Sequence, residues 1–225
     1  MKKISLAIFI LALTIGLVFS AGCGSVGITT VTGIKGSGTS KIEQRNVTGF
    51  NEIEAGGAMN LKVDAGKEFS VTVEADDNLL QYIKTEVSGN TLKIYSEGKI
   101  SPTAKLNVKI SMPALEGLDV SGASEANIVN VKADLLELKA SGASEINIVG
   151  EANELKAEAS GASEINAENL RTVSADVDAS GASSAIVSAN DRLAADASGA
   201  SKIYYTGEPK NIKQNASGAS SINKK

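Results

Sequence analysis

The tetrapeptide Ser-Gly-Ala-Ser occurs six times at a nearly constant spacing, and this repeat constrains the fold more than any other feature. Successive copies begin 18 to 20 residues apart, at Ser121, Ser141, Ser160, Ser180, Ser198 and Ser217. A fixed period of this size is typical of a solenoid, in which each repeat stacks only on its neighbours. Solenoids offer long, regular surfaces, so the repeat favours a binding function over closed catalytic chemistry.

The residues on both sides of the tetrapeptide alternate between apolar and polar types. Ile146 and Ile165 each stand two places after a tetrapeptide and lie between polar residues, and Leu138 and Ala140 flank Lys139 before the second copy. A period of two predicts strands with one buried and one solvent-facing side, and a helical repeat would show a period of 3.6. The sequence therefore predicts an all-β chain, a β-helix or β-solenoid whose coils repeat like residues ~4.8 Å apart.

The tetrapeptide itself is interpreted as a corner of the coil. Glycine adopts positive φ without steric cost, and the small residues beside it let successive coils approach closely. Stacked serines are expected to hydrogen-bond along the axis, although the serines could instead form a contact surface. Only 4% of the residues are aromatic, which suits a narrow interior filled with small and branched side chains.

The N-terminus resembles that of a secreted bacterial lipoprotein. Lys2 and Lys3 precede an apolar stretch over 4–19, and small residues then lead to Cys23, the only cysteine in the chain. Residues 1–22 are therefore predicted to be a signal peptide. The position of Cys23 resembles the lipobox cysteine, although Ser20 stands where leucine is usual. We expect Cys23 to carry a lipid that anchors the protein in the bacterial envelope, at the outer surface or the outer membrane. The alternative is an ordinary signal peptide followed by a chance cysteine.

Three further segments are predicted downstream of Cys23. Residues 23–37 are rich in Gly, Ser and Thr and indicate a flexible tether, unless their valines and isoleucines pair as an early strand. A solenoid domain is predicted over 38–225, with an irregular part at 58–120 and regular coils at 121–225. Ser37–Ser40 and Gly56–Met59 are interpreted as diverged copies of the tetrapeptide.

The irregular part is predicted to contain its own local structure. Ser88–Thr91 has the composition of a hairpin turn, and Asp76–Leu80 has that of a helix start. We expect this insert to cover a strand edge of the solenoid that would otherwise be exposed.

Several segments before the repeats carry a resemblance to a known family. They are Val47–Phe50, Ile53–Ala58, Val73–Leu80, Ile83, Thr85–Val87 and Leu92–Ile94. Together with the Ser-Gly-Ala-Ser coils they resemble the DUF2807 family, also called the autotransporter-adhesin head GIN domain, over about residues 38–225. The resemblance implies a right-handed β-helix in a secreted or lipid-anchored bacterial protein, and it implies no catalytic residues.

The composition excludes several kinds of chemistry. The chain has no histidine, so it has no Ser/His/Asp or Cys/His nucleophile and no typical zinc site. Walker-type loops and the aspartate of calcium-binding β-rolls are also missing from the sequence. Without residues 1–22 the chain keeps 20 basic and 26 acidic residues and no basic run, which argues against nucleic acid as a partner. We predict a protein that is not an enzyme and needs no cofactor or metal.

Two sets of polar residues follow consecutive tetrapeptides and form the predicted binding surface. The glutamates directly follow three tetrapeptides, and the asparagines stand two places further on: Glu125, Glu145, Glu164, Asn127, Asn147 and Asn166. All six are expected on one outward face, where they would form an adhesin or binding module for a glycan or surface protein; a ligand-free solvated face is the plainer interpretation. The alternatives for the whole chain are a structural or stress-related envelope lipoprotein without a ligand, and a polysaccharide-acting β-helix enzyme.

Overall fold

A computed structural model describes residues 33–101 and 103–225 of the chain. The predicted signal peptide, Cys23 and the tether up to residue 32 lie outside the described residues. The structure confirms an all-β solenoid of about five turns, with 62% of residues in strands. Its strands belong to one continuous hydrogen-bonded sheet that winds around a single core.

Sixteen strands follow one another along the described chain. They are β1 (Ser40–Arg45), β2 (Glu52–Ala55), β3 (Asn60–Ala65), β4 (Ser70–Asp76), β5 (Ile83–Ser88), β6 (Thr91–Ser96), β7 (Asn107–Met112), β8 (Gly117–Val120), β9 (Glu125–Ala140), β10 (Glu145–Ala159), β11 (Glu164–Ala179), β12 (Ser184–Ser188), β13 (Arg192–Ala197), β14 (Lys202–Thr206), β15 (Asn211–Ala216) and β16 (Ser221–Lys224). A single 3₁₀ turn, Leu80–Tyr82, stands at the predicted helix start and has no side-chain cap.

Each regular coil has two main faces that meet at the tetrapeptide. We call the face that follows the tetrapeptide face A, and the face that precedes it face B. Neighbouring coils pair in parallel, and like residues of the repeat lie opposite each other, as Ile146 does between Ala126 and Ile165. These three side chains are fully buried, which confirms the predicted inward columns.

The tetrapeptide forms a tight corner, as predicted. Gly161 has φ of 75°, and a Cβ atom there would lie 2.7 Å from the carbonyl oxygen of Gly142 in the preceding coil. The N–H of Ala162 donates to that same oxygen at 2.7 Å. The serines hydrogen-bond along the axis as expected, but to main chain of the preceding coil: Ser163 Oγ donates to the carbonyl of Ala140 at 3.0 Å.

The interior changes in composition along the chain. Alanine supplies 12 of the 26 buried apolar residues from Gly122 onward but only three of the 22 before it. Small side chains suit the interior of the regular coils, because like residues recur at the strand spacing of about 4.8 Å. Before Gly122 the core contains larger groups, including Phe50, Met59, Met112 and Leu115.

β2 and β3 are part of the parallel stack, which extends beyond them to β6 and β7, and the diverged tetrapeptide between β2 and β3 also belongs to it. The N–H of Ala123 donates to the carbonyl of Gly57 at 2.7 Å, and Leu61 pairs with Ala126. The other predicted copy, Ser37–Ser40, is not part of the column of corners. Its glycine, Gly38, has no atom near the position of a Cβ, and the adjoining strand β1 runs antiparallel to β4.

Antiparallel strands cover the N-terminal end of the stack. On face A, β4 pairs with β7, and β1 pairs with β4; on face B, β5 pairs with β6. β5 and β6 form the predicted hairpin, with Gly89 at a φ of 61° in its turn. Ile34 forms a parallel bridge with Ile100, so this part of the predicted tether pairs with the domain as an early strand would.

Candidate functional site

The six predicted residues lie together on the outer side of face A. Glu145 pairs in register with Glu125 and Glu164, and Asn147 pairs with Asn127 and Asn166. The three glutamates are exposed and the three asparagines are half-buried. Because neighbouring strands are about 4.8 Å apart, the six residues form two short parallel columns, which we call the Glu–Asn ladder.

Hydrogen bonds join the two columns within a coil. Asn127 Nδ2 donates to Glu125 Oε1 at 2.8 Å, and Asn147 Nδ2 donates to Glu145 Oε1 at 2.7 Å. Asn166 differs, because its Oδ1 accepts the backbone N–H of Glu168 at 3.3 Å. In the first two coils, each pair holds one carboxylate oxygen in place and leaves the second oxygen and the amide oxygen as acceptors toward solvent.

The carboxylates of the ladder have no cationic partner among the described residues. The ion pairs of residues 33–101 and 103–225 include none to Glu125, Glu145 or Glu164. Like charges at strand spacing repel, although water and salt screen most of that energy on an exposed face. The ladder is therefore a row of unneutralised acceptors of hydrogen bonds.

The columns of the ladder extend beyond the residues that were predicted. Asn60 precedes Glu125 in the glutamate column, and Lys62 precedes Asn127 in the asparagine column. On the C-terminal side the same two columns reach Lys202 and Tyr204. The alternation that placed Leu61 and Val63 in buried columns already contained the signal for Asn60 and Lys62, since the residues between inward positions face outward.

Face B has a second column of charged residues, and the alternation before each tetrapeptide already predicts its members from Asp119 onward. In register along it lie Lys93, Glu54, Asp119, Lys139, Glu158, Asp178, Asp196 and Asn215. Much of it is neutralised internally: Lys93 Nζ lies 2.8 Å from Glu54, and Lys139 Nζ lies 3.6 Å from Glu158. The bond to Glu54 raises the pKa of Lys93 above its usual range.

Two aspartates of face B have altered pKa values. Partial burial, and then the carboxylate of Glu54, raises the pKa of Asp119, while Lys139 partly offsets this increase. Partial burial, followed by the carboxylates of Asp176, Asp196 and Glu158, raises the pKa of Asp178. Face B therefore combines neutralised pairs with an acidic stretch near Asp178, where neighbouring carboxylates repel one another.

A groove of about 740 Å³ opens on face B where Gly117 leaves a gap in an outward column. Glu52 lies on one side of this glycine and Glu137 on the other, and the lining includes both Lys132 and Lys139 but no arginine. Within the described part of the chain, no three His, Cys, Asp or Glu side chains are grouped so that they could hold a metal ion. In residues 33–101 and 103–225, no helix is long and apolar enough to cross a membrane.

Comparison with known proteins identifies the family. The family model described as "Putative auto-transporter adhesin, head GIN domain", DUF2807, matches residues 49–209. The chain belongs to the DUF2807 family. The matched segment contains the whole Glu–Asn ladder and strands β2 to β14, so the family assignment and the ladder concern the same domain. A search of curated proteins gave no significant match.

Solved structures with the same fold come from Bacteroides and Parabacteroides species. A putative adhesin from Bacteroides fragilis is 23% identical to the DUF2807 chain, with a TM-score of 0.72 over 85% of this chain and all of the other. A putative adhesin from Parabacteroides distasonis is 22% identical, with a TM-score of 0.53 over 85% of this chain and 99% of the other. At these identities the similarity shows the shared solenoid fold and leaves the ligand open.

Proposed function

We propose that this DUF2807 protein is an adhesin-like binding module of the bacterial envelope, anchored by lipid on Cys23, that contacts an extended partner through the Glu–Asn ladder. The observation that carries the proposal is the in-register repetition of unneutralised carboxylates on face A, beside a face B whose charges are largely paired. The family description and the names of the similar structures support an adhesin role.

The geometry of the ladder suits a repeating partner better than a small one. Three consecutive coils offer a glutamate and an asparagine at the same spacing, so a polymer or a dense cell surface can occupy several coils at once. Individual contacts on an exposed face are weak, but linked contacts gain from a high effective concentration. Binding is therefore expected to be weak for monomeric fragments and to increase with the number of intact coils.

A charge-matched pair of variants tests the binding surface. Replacing Glu125, Glu145 and Glu164 together by Gln removes three charges from the ladder. The control replaces three exposed glutamates elsewhere, Glu68, Glu97 and Glu208, by Gln. Attachment to whole cells and to glycan and matrix-protein arrays is expected to decrease at least tenfold for the first variant and to stay near the parental level for the control. Equal attachment of both variants would contradict the assignment to the ladder, and a parent that binds no cell, glycan or protein would favour a structural envelope lipoprotein.

The anchor is tested separately, because the ladder can bind without it. Mass spectrometry of the native N-terminus is expected to show a chain that begins at an acylated Cys23. The Cys23→Ser variant should then be released from the membrane fraction into the medium or periplasm. An unmodified N-terminus, or a mature chain that begins beyond Cys23, would contradict the anchor and leave the binding proposal standing.

A further inference from the structure

Strand β1 is an edge strand of the sheet, and its outer edge has no neighbour among the described residues. β1 pairs with β4 on one side only. The N–H of Asp77 donates to the carbonyl of Thr39 at 2.9 Å. This bond shows which residues of β1 direct their backbone groups toward β4: Thr39 and every second residue after it. Because amides alternate in direction along a strand, the backbone N–H and C=O groups of Ser40, Ile42 and Gln44 point away from β4, toward the open edge.

The side chains of β1 are unusual for an open edge. Ile42 is 62% exposed, the highest value among the exposed large apolar residues of the described chain. Ile42 lies opposite Glu74 of β4, on the outer side of the sheet. The other side carries Lys41, Glu43 and Arg45, whose paired residues on β4 are buried. Edge strands commonly carry charges to prevent pairing with other chains, but an exposed isoleucine in the middle works against that protection.

The charges of β1 are self-complementary in one arrangement. If a second copy of β1 pairs antiparallel with Ile42 opposite Ile42, then each Lys41 lies opposite Glu43 of the second copy. In the parallel arrangement in register, Lys41 would face Lys41 and Glu43 would face Glu43. The antiparallel register also makes Ile42 a hydrogen-bonded pair with its copy, which agrees with the outward direction of its backbone groups. Opposite charges at the closely spaced, non-hydrogen-bonded positions favour such a pair.

We propose that β1 is a homodimer seam, where two copies of the chain pair antiparallel about a two-fold axis through Ile42. The arrangement is isologous, since the same strand is used by both copies, and it closes at two chains. It would join both sheets into one and cover Ile42 with its symmetry mate. If face A has the proposed binding function, the dimer presents two Glu–Asn ladders on the same side of the joined sheet and doubles the contacts available to a polymer.

The other edge strands lack this combination of features. In β5 both side chains of the equivalent pair have partners, because Lys84 bonds to Glu97 and Glu86 accepts from the hydroxyl of Tyr95. In β1 Glu43 lies 3.1 Å from Arg45, but Lys41 forms no ion pair with any described residue. At the C-terminal end, β15 and β16 contain lysines but no acidic residue, so a second copy of either strand offers no opposite charge. The charge pattern therefore assigns the seam to β1.

Charge swaps test the seam in the purified full chain, by sedimentation over a range of concentrations. The parent is expected to dimerise, and Lys41→Glu, which places Glu opposite Glu at both positions, should weaken the dimer roughly tenfold or more. The double variant Lys41→Glu/Glu43→Lys restores opposite charges and should dimerise like the parent. A mixture of Lys41→Glu with Glu43→Lys should form heterodimers, although each single variant is impaired alone. A parent that stays monomeric, or a double variant as weak as Lys41→Glu, would overturn the proposal.

A cysteine placed at the two-fold axis gives a second, independent measurement. Hydrogen-bonded antiparallel pairs have Cα atoms about 5.5 Å apart, within the range that a disulfide spans. In a Cys23→Ser background, which removes the native thiol, Ile42→Cys should therefore form disulfide-linked dimers under mild oxidation, while the background chain and the control Ile212→Cys, on the exposed edge of β15, should not. If Ile42→Cys forms none and the β1 amides are protected from hydrogen exchange in a monomer, a segment of residues 1–32 covers the edge and the seam does not exist. A β1 variant that cannot dimerise still has an intact Glu–Asn ladder in each monomer. Failure of the dimer proposal is therefore distinguishable from failure of the binding proposal, which the glutamate variant tests.

Discussion

The regular coils and the N-terminal block of strands use the same sheet but stabilise it in different ways. From Gly122 onward, each coil repeats the corner, the buried columns and the hydrogen bonds of its neighbour, and alanine fills much of the interior. Before Gly122, larger side chains pack in non-repeating combinations, and antiparallel strands cover the end. The coils are therefore specified by repetition at strand spacing, whereas the block is specified by individual packing. A substitution that buries a charge, strains the backbone or enlarges a buried side chain should therefore lower the free energy of unfolding more in the coils than in the block.

The largest effect is expected from a charge in a buried column of the coils. Ile165 is fully buried between Ile146 and Ala185, so Ile165→Asp places a carboxylate without a partner in a narrow interior. The loss should exceed ~4 kcal/mol of unfolding free energy and should unfold the neighbouring coils. Val173→Asp, on the same strand but half-exposed, is the control and should change the urea midpoint little. An unchanged midpoint for Ile165→Asp would refute the inward assignment of this column.

A methyl group at a corner should cost nearly as much. Gly161→Ala combines a positive φ with a Cβ that meets the carbonyl of Gly142, so a loss of roughly 3 kcal/mol is expected. Gly38→Ala has a similar φ of 83° but no atom near its Cβ, and it should cost only about 1 kcal/mol. Denaturation curves of the two variants measure both losses. The difference between them is the cost of the contact between coils, since both variants share the cost of the positive φ. Equal losses would mean that the corner is not tightly stacked.

The tolerance of the two regions to side-chain size should differ by a smaller amount. Ala175 lies in one column between Leu155 and Leu193, so Ala175→Leu overpacks the coil and should cost about 1–3 kcal/mol. Met112→Leu in the N-terminal block roughly conserves volume and should cost less than ~1.5 kcal/mol. Thermal unfolding of both variants measures the difference. A coil that accepts leucine at position 175 without loss would show that its interior is not closely packed.

The smallest effect concerns the acidic stretch of face B. Because the pKa of Asp178 is raised in the folded chain, the folded state binds a proton more readily than the unfolded state. The contribution of Asp178 to stability should therefore increase as the pH falls from 7 through its raised pKa, and this gain should be complete near the ordinary aspartate pKa of about 3.9. Asp178→Asn should stabilise the chain slightly at pH 7 and flatten this pH dependence.

The matched variant for this measurement is Asp119→Asn in the N-terminal block. The pKa of Asp119 is also raised, but Lys139 in the adjacent coil partly offsets the increase. Asp119→Asn removes a favourable contact together with an unfavourable one, so its gain at pH 7 should be smaller than that of Asp178→Asn. Urea titrations at several pH values provide both numbers. A larger gain for Asp119→Asn would show that Lys139 does not moderate the charge of face B.

The sequence by itself determined the regular coils and the outward position of the ladder. The period of the tetrapeptide sets which residues stack, and the covalent alternation of a strand sets which of them face outward, so Glu145 and Asn147 follow without knowledge of the fold. The same reasoning could not separate Gly38 from Gly57, since both stand in similar local sequence. Only one of them has a coil stacked against it.

Only the tertiary structure decided which strands cover the first coil. β7 lies beside β3, although 47 positions separate Asn60 from its partner Asn107, and no copy of the tetrapeptide marks that register. The same holds for the N-terminal end of the charged column of face B, where Glu54 meets Lys93 through pairing of strands distant in sequence. Local alternation determines whether a side chain points inward or outward. The residue that it contacts on the next strand depends on the register of the whole sheet, and the attraction or repulsion of charges in these columns depends on that contact.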